Sequence, residues 1–320
     1  MPKLNPEAQI KLNTSTLSHI LKNYGLELRS FKIAQGGIEN TTALISTNKG
    51  SFALRVYRKN KKKVAWIEQE LDFMNFLRDN GLPIPQLSKN SKNSFITTFA
   101  AQGAIWKCIL MEQMPGIHAR TYSRSLIIDL AKHQAKMHTL GVQYAKKHRP
   151  MTTLDVLIEG YFIKKIQLKK LKQRSTVDFL HRAQKFLVKL DPRLPRGFNH
   201  LDYDKTNTLA KNDKLSGILD FDDLAYSPMV VCLGYTLWDI ITDSPNLNRL
   251  RLYLKTYSKI RKLKRIEVTY LRDILLFRNY AIGSMDVLLQ GQNSKNIKGL
   301  VSLEQILLKL DPKTLTNYTS

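Results

Sequence analysis

The chain has 320 residues, 43% of them apolar, and carries 51 Lys and Arg against 26 Asp and Glu, a formal net charge of +25. That apolar share is enough for a core and excludes wholesale disorder, while no apolar run reaches the ~18 residues that a membrane-spanning helix needs. Two cysteines, Cys108 and Cys232, with no Cys-x-x-Cys spacing, exclude a disulfide framework.

The first residues, MPKLNPEAQIK, lack the apolar stretch of a signal peptide, so a reducing cytoplasm is the expected location, without membrane insertion. The positive charge attracts polyanions. The basic residues are dispersed, however. The densest run, KNKKK at 59–63, lies between two predicted elements and reads as a solvated loop rather than a nucleic-acid patch.

In chain order, TSTLSHILKNYGL (14–26) predicts a capped amphipathic helix closed by Gly25. FKIAQGGIENTTALISTNKGSFALRVY (31–57) predicts three short strands. Gly36 and Gly37 stand at the first turn, and Asn48-Lys49-Gly50 at the second. VAWIEQELDFMNFLRDNG (64–81) places Ile67, Leu71, Met74 and Leu77 at helical spacing before Gly81 and Pro83. SFITTF (94–99) and AIWKCILMEQM (104–114) predict two more strands, so the first part reads β-β-β-α-β-β.

From about residue 119 the pattern turns helical, over 126–140, 154–173 and 176–190. DPRLPRGF then breaks the helical pattern, and a polar hairpin is expected over 207–223. After Pro228 helices are expected over 229–243, 246–259, 265–290 and 299–310. The domains expected are 1–113 and 114–320.

Chemistry concentrates in HLDYDKTN (200–207) and in Asp220 beyond the hairpin. Phosphoryl transfer needs a carboxylate to accept a hydroxyl proton and hard oxygen ligands for Mg²⁺. Asp202 is suited to the first, Asn207 and Asp220 to the second. The hairpin between Asn207 and Asp220 would bring them to one end of two paired strands. Asp204 is either solvated or meets a substrate amine. Asp222 and Asp223 either cap local structure or face metal or substrate. His133 and His138 are wrongly spaced for a shared metal on one helix face, and the Met residues and Trp238 read as core.

HLDYDKTN followed by ILDFDD resembles the catalytic and metal motifs of the aminoglycoside phosphotransferase / choline kinase / homoserine kinase superfamily, small-molecule relatives of the protein kinases. The pattern there is His-Gly-Asp, four residues, Asn, then Ile-Asp-Phe. QGGIENTTALIS and FALRVY resemble the same family's Gly-rich loop and third strand, especially in its homoserine-kinase-like branch. EQELDFMNFLRDNGLPIP resembles its helix ending in Pro-x-Pro. ILMEQMPG resembles the segment joining the lobes, and LAKHQAKMHTL the helix that follows. The resemblance runs from about residue 30 to about 242.

It implies an α+β, protein-kinase-like bilobal fold: a small five-stranded antiparallel N-terminal lobe with one main helix, and a larger, mostly helical C-terminal lobe. It also implies ATP and Mg²⁺ as cofactors and a small hydroxylated substrate as partner, with a monomer or dimer expected and nucleic acid not. Carried over by position, Asp202 orients and deprotonates the hydroxyl, and Asn207 and Asp220 hold Mg²⁺. Arg55 contacts phosphates and pairs with Glu70, Gly36 and Gly37 let backbone approach the phosphates, and the segment of Met111 and Gln113 receives adenine. Asp204 and Asp222 are candidates for substrate or a second metal, and His200 braces the loop. Three positions depart from the pattern: Arg55 stands for the commoner Lys, Leu201 for Gly, and Cys232 for an Asp that anchors the catalytic loop.

Pockets for polycationic aminoglycosides are expected to be acidic, whereas residues 249–313 are net basic. A zwitterionic or anionic acceptor, such as an amino acid alcohol or a sugar, is therefore favoured. The rival functions are a protein Ser/Thr kinase, disfavoured by the few residues between Asp223 and Val230, and a catalytically weak nucleotide- or polyanion-binding protein.

Overall fold

The computed structural model describes residues 10–34, 40–59, 62–154, 160–168, 171–186, 188–291 and 295–319. Gly36 and Gly37, at the expected phosphate-binding turn, lie outside the described residues. The chain divides into two compact units, one up to Pro115 and one from Gly116 onward.

The first unit opens with α1 (Thr14–Lys22), whose N-terminus is capped by the Asn13 side chain accepting from Thr16 N at 2.9 Å. Strands β1 (Leu28–Ile33), β2 (Thr41–Thr47) and β3 (Gly50–Val56) follow, then α2 (Val64–Asp79), β4 (Leu87–Ser88), β5 (Ile96–Ala101) and β6 (Ala104–Glu112). They form one antiparallel sheet in the order β1-β2-β3-β6-β4, with β5 also paired to β6. Leu17, Ile20 and Leu21 of α1 pack with Ala43, Ile45, Leu54, Val56, Trp106 and Leu110 of the sheet. The sheet has six strands where the sequence predicts five. The addition, β4, is two residues long, too short to show alternation.

The second unit contains α3 (Arg124–Ala145), α4 (Gly160–Lys165), α5 (Arg174–Lys185), β7 (Arg196–Asn199), β8 (Thr208–Lys211), β9 (Lys214–Ile218), β10 (Ala225–Pro228), α6 (Met229–Asp243), α7 (Leu247–Ser258), α8 (Arg265–Gln290), α9 (Lys295–Leu308) and α10 (Pro312–Thr319). The helix expected over 154–173 is helical over Gly160–Lys165, and residues 171–173 are not. The Gln184 amide donates to the Ile163 and Ile166 carbonyls at 3.4 and 3.0 Å, satisfying groups that a longer helix would have used.

Helix α6 is buried from Met229 through Trp238, hydrophobic on all sides as a central helix must be. It packs on α7 and α8, and α3 packs on α7 and β7. A Cβ at Gly141 would stand 2.1 Å from the Phe198 carbonyl oxygen, so only glycine lets α3 approach β7 this closely. β8 and β9 form the expected hairpin across Asn212-Asp213, both at positive φ, as a two-residue hairpin turn requires. β7 pairs with β10, a connection the sequence pattern did not reveal. These two pairs hold both ends of the polar segment.

Candidate active site

Strand β7 ends at Asn199, and the next residues form a loop that reaches β8. His200 is fully buried at its start. One ring nitrogen, Nε2, lies 2.8 Å from the Leu219 carbonyl, and Nδ1 receives the Asp202 N–H at 3.3 Å. Those partners assign the proton to Nε2 of a neutral ring. Burial lowers its pKa, which agrees with a neutral brace. Leu201 has φ +63°, the left-handed region where glycine carries no Cβ penalty.

The sulfur of Cys232, fully buried on α6, accepts from the Gln134 amide at 3.5 Å, and the backbone N–H groups of Leu201 and His200 lie near it and favour its ionised form. Its thiol pKa is pushed up to about 12 by burial, so it acts as a neutral acceptor. Thr236, one turn further along α6, donates to the Tyr203 carbonyl at 2.7 Å and accepts from Gln134 at 2.7 Å. Where the resemblance assigns an anchoring Asp, the loop backbone is thus bonded here by the Thr236 hydroxyl and neighboured by the Cys232 thiol.

Asp202 is half-buried and faces two partners. Asn207 Nδ2 donates to its Oδ2 at 2.7 Å and to its carbonyl at 2.9 Å, and Arg278 lies 3.6 Å from Oδ1. Burial first, and then the charge of Asp204, raise its pKa to about 7 against the pull of Arg278. With Nδ2 committed, the Asn207 amide turns its oxygen away from Asp202.

The backbone N–H of Leu219 donates to the Asn207 carbonyl at 2.8 Å, and Thr208 pairs with Ile218. Asn207 and Asp220 thus flank the open end of the β8–β9 hairpin. Asp220 is exposed with φ +61°, and one of its oxygens accepts from Asp222 N at 3.4 Å. Asp222 belongs to a short 3₁₀ turn over Phe221–Asp223. An amide oxygen and a carboxylate are hard donors. Mg²⁺ takes one or two carboxylates plus substrate phosphates, so this pair fits it. Among the described residues no group of three His, Cys, Asp or Glu forms an all-protein metal cage.

Asp204 uses Oδ1 to accept from Thr206 N, Thr206 Oγ1 and Asn207 N at 2.7, 2.6 and 3.2 Å, folding the loop into an Asx turn. It also lines a recess of about 20 Å³ with Asp202, Tyr203, Tyr235, Trp238, Asp239 and Arg278. Asp239 accepts from the Tyr122 hydroxyl, which in turn accepts the Lys205 N–H at 2.9 Å. Burial raises the Asp239 pKa, and neighbouring Asp204 adds to the effect. The Arg278 guanidinium lies 4.4 Å from the Tyr235 ring centroid and 5.9 Å from that of Trp238.

In the first unit, Arg55 on β3 and Glu70 on α2 meet as expected, at 3.3 Å, both buried. Tyr57 also donates to Glu70, at 3.3 Å. Lys62 makes the shortest contact, 2.7 Å to the other Glu70 oxygen, with its side chain 10% exposed. One lysine of the run read as a solvated loop is therefore internal, because a buried carboxylate with two oxygens accommodates a second cation. Met111 is buried on β6, and Gln113 is exposed beyond its end, its N–H on the Ser51 carbonyl at 3.4 Å.

Residues 30–263 match the phosphotransferase enzyme family, APH. The chain belongs to that family. Among sequence relatives, the homoserine kinase of Afipia carboxidovorans is 29% identical over 262 residues, covering 78% of this chain and 77% of the relative. An amicoumacin kinase in complex with AMP-PNP, Ca²⁺ and Ami superposes with a TM-score of 0.69 at 14% identity, over 95% of this chain and 94% of that one. A microcompartment-associated aminopropanol kinase superposes at 0.65 with 16% identity, over 96% and 99%. The expectation of a small-molecule phosphotransferase with an alcohol acceptor, on an α+β kinase-like fold with an antiparallel sheet, is met.

Several residues around this phosphotransferase's sites escaped the sequence reading. Asp239 and Arg278 sit on helices far along the chain from the octapeptide. A signal was present in YTLWD, where Tyr235, Trp238 and Asp239 share one helix face, and in the lone Arg278 of LLFRNYAIG. Trp238 is core, as expected, but also walls the recess. Tyr122 and Lys62 carried no sequence signal.

Proposed function

We propose that the chain transfers the γ-phosphoryl group of ATP to the hydroxyl of a small molecule that also carries an amine, with homoserine as the first candidate. The observation that carries this reading is the recess beside Asp202, walled by the carboxylates of Asp204 and Asp239. The two carboxylates, in a chain of net charge +25, suit an ammonium head group. Homoserine and aminopropanol, the acceptors named for two of the similar kinases, both join an amine to a hydroxyl.

In this reading Asp202 accepts a hydrogen bond from the acceptor hydroxyl, directs the hydroxyl's lone pair at the γ-phosphorus and takes the proton as the new P–O bond forms and the bond to the bridging oxygen breaks, releasing ADP. Asn207 holds the Asp202 carboxylate in place, and with Asp220 it would ligate Mg²⁺, which supplies charge neutralisation at the phosphates. Arg55, oriented by Glu70, is assigned to phosphate oxygens, and the backbone at Gly36 and Gly37 to close phosphate approach. The segment from Met111 to Gln113 is assigned to adenine. Asp222, hydrogen-bonded through its N–H to Asp220, is assigned to shaping the metal site and Asp204 to the substrate side. The domains assigned are 1–113 for nucleotide and 114–320 for catalysis and acceptor.

A protein kinase is disfavoured. The residues between the 3₁₀ turn and α6 are taken up by the four-residue strand β10, leaving no extended segment on which a peptide could dock. A test is ADP release with ATP, Mg²⁺ and a panel of hydroxylated amines, amino acids and sugars. Turnover confined to amine-bearing alcohols is expected; equal turnover of neutral sugars would overturn the reading.

A further inference from the structure

We infer that Arg278 reads a carboxylate on the acceptor, so that the site selects a hydroxylated amino acid over the corresponding amino alcohol. This rests on the amine-bearing acceptor proposed above and narrows it to one chemical class.

The recess is not uniformly acidic. Asp204 and Asp239 supply carboxylates, and Arg278, on α8, supplies a guanidinium. Asp202, the proposed base, borders both. An acceptor whose hydroxyl reaches Asp202 therefore meets two kinds of charge, one complementary to an ammonium and one to a carboxylate. Amino acids with a side-chain hydroxyl carry all three groups within a few bonds. Amino alcohols lack the third, and sugars lack both charges.

Arg278 is prepared for this role. Its side chain is 16% exposed, and its guanidinium sits over the Tyr235 ring, 4.4 Å from the centroid, a contact that restricts it before any ligand arrives. At 3.6 Å its contact with Asp202 is longer than a hydrogen bond and is not the bidentate fork that a guanidinium forms with a well-aligned carboxylate. The Asp202 oxygen facing away from Arg278 is held by Asn207 at 2.7 Å, so an incoming carboxylate engages the arginine without displacing that bond. Asp239, which also lines the recess, is held by the Tyr122 hydroxyl.

An alternative role for Arg278 is to hold Asp202 alone. The two roles differ in what the residue's loss does to matched substrates. L-Homoserine and 3-aminopropan-1-ol differ only by the carboxylate. With ATP and Mg²⁺, the wild-type chain should favour L-homoserine in kcat/KM. Arg278→Met should reduce the ratio of the two kcat/KM values by about 30- to 100-fold, chiefly through the KM for L-homoserine, as expected for one charge-assisted contact. Arg278→Lys, which keeps the charge and fills similar space, should restore part of the ratio and guards against a folding defect in the first variant. An unchanged ratio in Arg278→Met, with both substrates slowed equally, would overturn the inference and leave the phosphotransferase reading standing. So would a wild-type chain indifferent to the carboxylate. Absence of turnover of either compound by the wild-type chain would instead overturn the amine-bearing acceptor itself.

Discussion

Cys232 offers a sharp perturbation. Its sulfur is fully buried, accepts from the Gln134 amide at 3.5 Å and lies near two backbone N–H groups of the catalytic loop, those of His200 and Leu201. Cys232→Ala removes the buried sulfur that both backbone donors neighbour. An unsatisfied buried donor costs ~1–3 kcal/mol, and sulfur is a weak acceptor, so the low end applies, about 1 kcal/mol for each. Loss of the packed sulfur adds about 1 kcal/mol, giving about 3 kcal/mol in all. For a cooperative unit of this size that corresponds to a fall in Tm of roughly 6–12 °C. Because Asp202 follows directly on the anchored residues, kcat should fall by about tenfold or more while nucleotide binding is unchanged. Cys232→Ser restores an acceptor of nearly the same shape and should stay within about 1 kcal/mol of the wild type. Thermal melting followed by circular dichroism, with ADP release at saturating substrates, measures both quantities. If Cys232→Ala melts within 1–2 °C of the wild type with an unaltered kcat, or Cys232→Ser falls as far as Cys232→Ala, the sulfur is filler and the anchoring account is refuted.

Other consequences follow from the same geometry. Asp220→Asn keeps the shape but removes the metal-side charge; the Mg²⁺ concentration needed for half-maximal turnover should rise at least tenfold, read by a Mg²⁺ titration of ADP release. Glu70→Gln leaves Arg55 and Lys62 without their shared carboxylate and should raise the KM for ATP about tenfold, with a smaller effect on the KM for the acceptor. Asp202 must be ionised to accept a proton, and burial raises its pKa to about 7. In the metal-free chain its carboxyl carbon should therefore titrate near that value by NMR. Activity should fall as pH drops through the acidic limb, and a bound divalent cation, which favours the carboxylate, should move that limb to lower pH.

The octapeptide was legible because its polar residues are local. The Asp202–Asn207 contact spans a single loop, and the hairpin to Asp220 announced itself by the Asn212-Asp213 turn. The departures at Leu201 and Cys232 were visible only as unfamiliar residues. That one residue's N–H group neighbours the other's sulfur follows from the approach of α6 to the loop, which no local pattern encodes. Arg278 and Asp239 reach the site through tertiary packing, and the basic composition of their surroundings pointed away from an acidic recess. Lys62 lay hidden in a lysine run, where the sequence gives no sign of which side chain turns inward. Strands β4, β7 and β10 are two to four residues long, and their pairing is decided by partners rather than by alternation.

The central claim is that Asp202 supports phosphoryl transfer to the hydroxyl of a small amine-bearing acceptor. Its most direct test is acceptor-dependent ADP release from ATP by the wild type and by Asp202→Asn, with L-homoserine as acceptor and nucleotide binding measured alongside. The account predicts turnover by the wild type and a loss of about 10²- to 10⁴-fold in the variant, with ATP affinity retained. Undiminished turnover by Asp202→Asn would contradict it.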